Sequence, residues 1–101
     1  MQLHYTDEVA FRWASGVLDW LAERGIEPYE VQQILQYGKR WPRRGNTAQG
    51  AVLTIWGRTL AGRALLVVLW PEQGSLDNYI TGARELAAGE EAELQRWEAS
   101  R

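Results

Sequence analysis

Apolar residues in the first quarter of the chain recur at spacings of three and four residues: Val9, Trp13, Val17, Trp20 and Leu21. This spacing predicts a helix over residues 7–24 with one buried face. Thr6 precedes two acidic residues, which is typical of a helix N-cap and first turn. Gly25 follows as a left-handed helix stop.

A second short helix is predicted after this stop. Pro28 suits the first turn of a helix, where its missing amide hydrogen costs nothing, and an apolar face follows before Gly38. The next stretch, YGKRWPRRGN (residues 37–46), is predicted to be the loop that joins the helices to a sheet.

From residue 51 the pattern changes to that of strands. AVLTIWGR (51–58) and ALLVVLW (64–70) are rich in β-branched and aliphatic residues, and the connection between them contains Gly62, so they predict an antiparallel hairpin. The second run is apolar throughout, as in a central strand. Pro71, Gly74 and Ser75 predict a turn before a third strand, LDNYIT (76–81), and GEEAELQRW (89–97) predicts a closing helix.

These elements predict an α+β fold with two N-terminal helices, a small antiparallel sheet of at least three strands, and a C-terminal helix. The 101 residues are the length of a single domain, spanning 1–101. No apolar run approaches the roughly 20 residues that span a bilayer. The N-terminal stretch is acidic where a signal peptide would be basic, so a cytoplasmic location without membrane contact is expected.

Composition narrows the chemistry. The chain has no cysteine and a single histidine, which argues against a disulfide framework, a thiolate metal site, a cysteine nucleophile and a Ser-His-Asp triad. Six tryptophans are expected mostly in the core or at interfaces.

Charge is distributed very unevenly. Residues 1–35 contain six acids and two arginines, and residues 72–101 contain seven acids and three arginines, so each flank carries −4. Residues 36–71 contain six basic residues and no acid, which restores the total of −2. Because local potential governs phosphate binding, the acid-free block is a candidate nucleic-acid surface despite the negative total.

The first part of this block supplies the candidate RNA contacts: Lys39, Arg40, Trp41, Arg43 and Arg44. An aromatic ring among arginines suits stacking on an unpaired base. Two other interpretations remain open: the run is a solvated connection that prevents a sheet edge from pairing with other chains, or Trp41 folds back onto the core.

Several short motifs carry a resemblance to a known family. They are ERGI at the end of the first helix, GRTLAGRALLVVLW in the hairpin, and YITGAR at the last strand, with Glu90 six residues after Arg84. In these motifs the chain, from about residue 18 to residue 97, resembles the BrnT-like toxins of the RelE/ParE-like superfamily.

The resemblance implies a ribonuclease toxin of a type II toxin-antitoxin system that needs no metal or cofactor. The ribose 2′-hydroxyl would attack the adjacent phosphate, with Arg58, Arg63 and Arg84 as catalytic residues, since a guanidinium pairs with two phosphate oxygens and stays charged. The implied partners are RNA and a cognate antitoxin protein, with DNA contacted only through the antitoxin complex.

Position in the chain makes convergence of these arginines conceivable. Arg58 and Arg63 flank one hairpin connection and would share an end of the sheet, while Arg84 leaves the last strand. Arg84 also has a structural interpretation, an ion pair with Glu90 or Glu91 that would fasten the last strand to the last helix.

A second interpretation comes from departures from the family pattern. Residues 85–94 contain no basic residue where members usually have some, and the hydroxyl expected in the I-x-x-AR element falls at Thr81, beside Gly82. No His, Lys or Cys lies near the motif in the sequence, so proton transfer is left to Tyr79, Glu85 or Glu90, or to substrate-assisted chemistry. The chain is therefore also interpreted as a catalytically inactive homologue that acts as a protein- or nucleic-acid-binding module.

Overall fold

The computed structural model describes residues 2–6, 9–48, 50–71 and 77–100. Within these ranges lie six strands and three helices. In chain order they are β1 (Gln2–Thr6), β2 (Val9–Trp13), α1 (Val17–Glu23), α2 (Pro28–Gln36), β3 (Trp41–Thr47), β4 (Gly50–Arg58), β5 (Ala64–Pro71), β6 (Asn78–Glu85) and α3 (Ala88–Ala99).

The strands form one sheet in the order β1-β2-β6-β5-β4-β3. Neighbouring strands are antiparallel except β2 and β6, which are parallel. The predicted α+β class is confirmed, and so is the β4–β5 hairpin, whose connection contains Gly62 at φ 93°. The all-apolar strand β5 lies inside the sheet, between β4 and β6, as its sequence predicts.

Helices cover the two faces of the sheet unequally. On one face α1 and α2 bury a large cluster in which Leu21 and Ile34 pack with Val67 and Ile80. On the other face α3 buries Leu94 in a smaller cluster. This cluster also contains Trp56, Ala64, Leu66, Leu86 and the half-buried Trp97. The α3 face therefore retains uncovered strand surface.

The predicted helix over residues 7–24 is wrong in its first half. Residues Val9–Trp13 form strand β2, and the helix begins only at Val17, after Gly16 in a left-handed conformation at φ 79°. Phe11 and Trp13, two residues apart, are both buried, which is the period of a strand. The backbone of β2 pairs with β1 on one side and with β6 on the other. Thr6 belongs to β1, so the predicted N-cap position lies in a strand, while Asp7 and Glu8 lie outside the described residues.

The basic stretch, predicted as a loop over residues 37–46, is irregular only as far as residue 40. Residues Trp41–Thr47 form strand β3 at the edge of the sheet, paired with β4 alone. Pro42 is tolerated there because an edge strand has one side without ladder partners. The alternating exposure of this strand turns one set of its side chains, including Trp41 and Arg43, partly inward.

Other boundaries agree with the sequence or shift slightly. Gly25 has a positive φ angle and Pro28 opens α2, as predicted, and Gly38 after α2 also has a positive φ angle. The third predicted strand is confirmed but runs over Asn78–Glu85, and the predicted turn residues Gly74 and Ser75 lie outside the described residues. None of the helices in the described part of the chain is long and apolar enough to cross a bilayer.

Candidate nucleic-acid interface

Two adjoining grooves lie on the α3 face of the sheet, where α3 leaves it uncovered. The first has a volume of about 430 Å³ and is mostly apolar, and the second, of about 360 Å³, has more polar walls. They share four lining residues: Thr47, Val52, Val68 and Arg84. Together they form one continuous depression, called here the sheet groove.

Arg84 stands at the junction of the two halves of the sheet groove. It lies on β6 opposite Leu66 of β5, and its side chain is half exposed. Its Nη1 donates to Oε1 of Glu90 at 2.7 Å, and its Nη2 donates to Oε2 at 2.8 Å. This ion pair, predicted as one interpretation of Arg84, holds the guanidinium in a defined orientation between the last strand and α3.

The ionised form of Glu90 is stabilised by hydrogen bonds from two residues. Its Oε1 also accepts the backbone N–H of Ala87 at 2.8 Å, which caps the start of α3. The hydrogen bond from Arg84, followed by the one from Ala87, lowers the pKa of Glu90 from 4.5 to about 2. The same hydrogen bond raises the pKa of Arg84, so both groups are charged at neutral pH.

Arg43 reaches the polar half of the sheet groove from β3. Its Nη1 donates to Oε2 of Glu93 at 2.7 Å, and its guanidinium lies 4.4 Å from the ring centroid of Trp41 and 4.7 Å from that of Trp56. Arginine over indole faces is favourable and keeps the guanidinium planar and fixed. Arg43 and Arg84 thus both line this half of the groove, each anchored by one carboxylate of α3.

Trp41 is not free to stack on a base. Its ring is stacked on Trp97 at 5.4 Å between centroids, with 6° between planes, and meets Trp56 edge-on at 5.6 Å. The interpretation in which Trp41 folds back onto the core is therefore confirmed.

Arg58 is tied to α3 near the C-terminal end of that helix. Its Nε donates to Oε2 of Glu98 at 3.0 Å, and its Nη1 donates to Oε2 of Glu91 at 3.2 Å. These bonds, that to Glu98 first, raise the pKa of Arg58. Arg58 does not line the sheet groove.

Arg63 faces the opposite side of the sheet. Its Nη1 donates to Oε1 of the buried Glu30 at 2.8 Å and to the carbonyl oxygen of Gly25 at 3.0 Å, and its Nε donates to Glu85 at 3.0 Å. The bond to Glu85 is the main cause of its raised pKa. The structure thus separates the three predicted catalytic arginines: Arg58 and Arg63 share the hairpin end but turn to different helices, and of the three only Arg84 lines the groove.

The remaining basic residues predicted to bind RNA occupy different places. Lys39 donates to the carbonyl oxygen of Glu98 at 3.0 Å, and Arg40 donates to that of Leu35, so both are directed at helix ends. Arg44 is exposed on β3, borders the polar half of the sheet groove, and forms no ion pair with any residue in the described ranges.

Sequence reasoning did not single out the aromatic half of the groove. Trp20 of α1 and Trp70 of β5 both line it, and each is more than one third exposed. Thr81, flagged for its hydroxyl, lies there because a bulge pairs Val68 with Gly82 and Leu69 with Ile80, leaving Thr81 as the extra residue. Signals existed in the sequence: Trp70 closes the apolar run of residues 64–70, and Thr81-Gly82 places a hydroxyl and a glycine beside the last strand's apolar Ile80.

Comparison of the chain with protein-family models, with curated proteins and with solved structures finds no match.

Proposed function

We propose that this protein is a ribonuclease of the BrnT-like toxin type, which binds single-stranded RNA in the sheet groove and cleaves it without a metal ion. The observation that carries the proposal is the placement of Arg84 and Arg43 on the walls of one open groove, each oriented by a carboxylate of α3. A phosphodiester in this groove would meet two fixed guanidinium groups.

The chemistry suits arginine. In the proposed reaction the ribose 2′-oxygen attacks the adjacent phosphorus while its proton passes to a carboxylate or to water. The P–O5′ bond breaks and the 5′-oxygen takes a proton from water, giving a 2′,3′-cyclic phosphate and a 5′-hydroxyl. The extra negative charge on the phosphoryl oxygens is what Arg84 would stabilise. No described residue bonds to Nε of Arg84. Nη1 and Nη2 form one surface ion pair with Glu90, which a phosphate can replace, and Nη1 also donates to the carbonyl oxygen of Glu85 at 3.2 Å.

Glu90 is the carboxylate nearest to Arg84 and is proposed to control it. With a pKa of about 2 it is ionised at neutral pH, so it can accept a proton but is a weak base. Its stronger effect is electrostatic, because it competes with phosphate for Arg84. Among the other candidates for proton transfer, Glu85 is bonded to Arg63.

The biological context implied by the resemblance belongs to the same proposal. The toxin would act on cellular RNA in the cytoplasm, would be neutralised by a cognate antitoxin protein, and would contact DNA only through the complex with that protein.

A second candidate function is a binding module without catalysis. It is favoured by a specific observation: Arg58, Arg63 and Arg84 all form ion pairs with carboxylates of the same chain. The apolar half of the groove would also accept an apolar segment of a partner protein.

Expression of the chain alone tests the proposal. We expect growth arrest, and we expect the purified protein to cleave single-stranded RNA in the presence of a chelator, leaving 2′,3′-cyclic phosphate ends. Arg84→Ala should lower the cleavage rate by roughly 10²- to 10³-fold, the scale for loss of one preorganised donor.

Arg96→Ala is the matched control, because Arg96 is an exposed arginine of α3 that does not line the sheet groove. It should cleave as the wild type does. Normal growth together with intact RNA after incubation with pure protein would eliminate the ribonuclease and favour the binding module.

A further inference from the structure

We infer that the apolar half of the sheet groove is a subsite for one unstacked nucleobase, held against Trp70 and Trp20, with the phosphate of the same nucleotide at Arg84. The inference deepens the proposed function and rests on it. It assigns the ligand as single-stranded RNA, because a paired base is not available to enter a groove on a sheet face.

The first support is the exposure of the two indole rings. Trp70 is 38% exposed and Trp20 is 37% exposed, although both line a concave apolar surface. One face of Trp20 is covered by the guanidinium of Arg24 at 3.7 Å, and no described residue forms a ring contact with Trp70. Indole rings left open in this way are stacking platforms for bases.

The second support is the shape of the groove. The apolar half has a volume of about 430 Å³, which is in the range of small-molecule sites. Gly82 lines it without a side chain that would fill this space. A Cβ at Gly82 would lie 3.5 Å from the ring of Trp20, so any larger side chain would occupy the space beside that ring.

The third support is the placement of polar groups at the ends of this apolar surface. Thr47 and Thr81 line the groove; their hydroxyls donate to the carbonyl oxygens of Gly50 and Val68, and the Thr81 oxygen can still accept a hydrogen bond from the edge of a base. Arg84 closes the same groove and continues into the polar half, where Arg43 stands. An apolar wall that ends at a cation matches a nucleotide, in which base and phosphate are joined by one sugar.

The experiment measures binding of a fluorescein-labelled hexaribonucleotide by anisotropy, using the full chain. The oligonucleotide carries 2′-O-methyl groups so that it is not cleaved. We expect Trp70→Ala to weaken binding about 5- to 150-fold, the range for loss of one base–aromatic stack, and Trp70→Phe to restore most of it. Tyr29→Ala removes an aromatic side chain that is 57% exposed and outside the groove, and should bind as the wild type does.

A second measurement varies the RNA. A series of hexamers carries one abasic site each, at a different position along the strand. One of these hexamers should bind the wild-type protein more weakly than the others do. Duplex RNA should bind equally to the wild type and to Trp70→Ala.

The outcomes separate the inference from the proposed function. If wild-type protein binds the hexamer but Trp70→Ala matches Tyr29→Ala and no abasic position matters, the base subsite is wrong while RNA binding stands. If wild-type protein does not bind the hexamer, both fail. If Trp70→Ala abolishes binding of an apolar dye but not of RNA, the groove takes an apolar protein segment and the inference is overturned.

Discussion

Arg84 and Glu90 form the pair around which the site is built. The carboxylate orients the guanidinium, caps α3 through the N–H of Ala87, and competes with any anion for the same donors. One residue therefore stabilises the fold and limits access to the proposed phosphate site. The two effects respond differently to pH and to mutation.

Glu90→Gln should reveal the stabilising effect through its pH dependence. The pKa of Glu90 in the folded chain, about 2, lies below its ordinary 4.5, so the pair stabilises the fold above about pH 4.5 and this is lost as pH falls toward 2. Because Arg84 is half exposed, solvent screening limits the effect to about 1 kcal/mol.

Urea unfolding of both proteins between pH 7 and pH 2 measures this difference, which should shrink toward zero at the acid end. Glu23→Gln is the control, because Glu23 is exposed and lies 3.8 Å from Arg24, at the limit of an ion pair. A difference between Glu90→Gln and wild type that stays constant with pH would contradict the assignment.

The same substitution should strengthen RNA binding at pH 7, since it removes the competing charge beside Arg84 while a glutamine can still cap the helix. Anisotropy with the uncleavable hexamer gives the affinity. Weaker binding by Glu90→Gln would show that the pair is needed intact and that Arg84 is a fastening residue.

Arg63 is expected to stabilise the fold and not to bind RNA, because its side chain is bonded to Glu30, Gly25 and Glu85. Removing it leaves the buried carboxylate of Glu30 without its cation and the carbonyl of Gly25 without a donor. We expect Arg63→Ala to lower the free energy of unfolding by about 2 kcal/mol, the scale for an unsatisfied buried polar group, and to retain RNA binding once folded.

Chemical denaturation and the anisotropy assay measure the two properties separately. Arg44→Ala, at an exposed position of β3, should leave stability within about 0.5 kcal/mol. If Arg63→Ala were as stable as wild type but inactive, the catalytic role implied by the family resemblance would be restored to it.

Among the elements, α3 is joined to the sheet by a set of ion pairs. It is an acidic helix on a basic sheet face, with ion pairs from Glu90, Glu91, Glu93 and Glu98 to three arginines of the strands. Its apolar anchor is small, Leu94 being its one fully buried side chain. Since exposed ion pairs contribute little, Leu94 should carry most of the attachment energy.

Leu94→Ala should therefore destabilise the protein by about 3 kcal/mol, the scale for removing a fully buried leucine. Leu60→Ala, at a leucine that is 73% exposed, should change stability by less than about 0.5 kcal/mol. Equal denaturation midpoints for the two variants would mean that α3 is not held by its apolar contacts.

At the scale of the whole molecule, the basic residues of the acid-free block form two groups, one bonded to other elements of the fold and one lining the sheet groove. Lys39, Arg40, Arg58 and Arg63 bind carboxylates and carbonyls of the helices, whereas Arg43 and Arg44 face the sheet groove together with Arg84. The groove is therefore less basic than the count of arginines implies.

This division sets the salt dependence of RNA binding. If Arg43, Arg44 and Arg84 each meet one phosphate, the logarithm of the affinity should fall with the logarithm of salt concentration with a slope of about −2, since each contact on a single strand contributes about −0.7. Arg43→Ala should reduce the slope by about 0.7, and Arg96→Ala should leave it unchanged. A slope near zero would contradict phosphate contact in the groove.

Part of the fold could be predicted from the sequence. Pro28, Gly25 and the apolar runs of β4 and β5 specify their elements locally, because turn residues and side-chain period act over a few residues. The pairing of β2 with β6 was not readable, because Val9, Trp13 and Val17 match a helical period and only a distant strand selects the extended form.

The sequence by itself determined the α+β class, the central hairpin and the acid-free block, and it made Arg84 a candidate site residue. Only the tertiary structure decided which arginines are available, because each guanidinium takes its partners from elements far away in the chain: α2 for Arg63 and α3 for Arg58. It also decided that Trp20 and Trp70, fifty residues apart in the chain, line one groove with Arg84. Such neighbours depend on sheet order and helix placement, which local side-chain patterns do not encode.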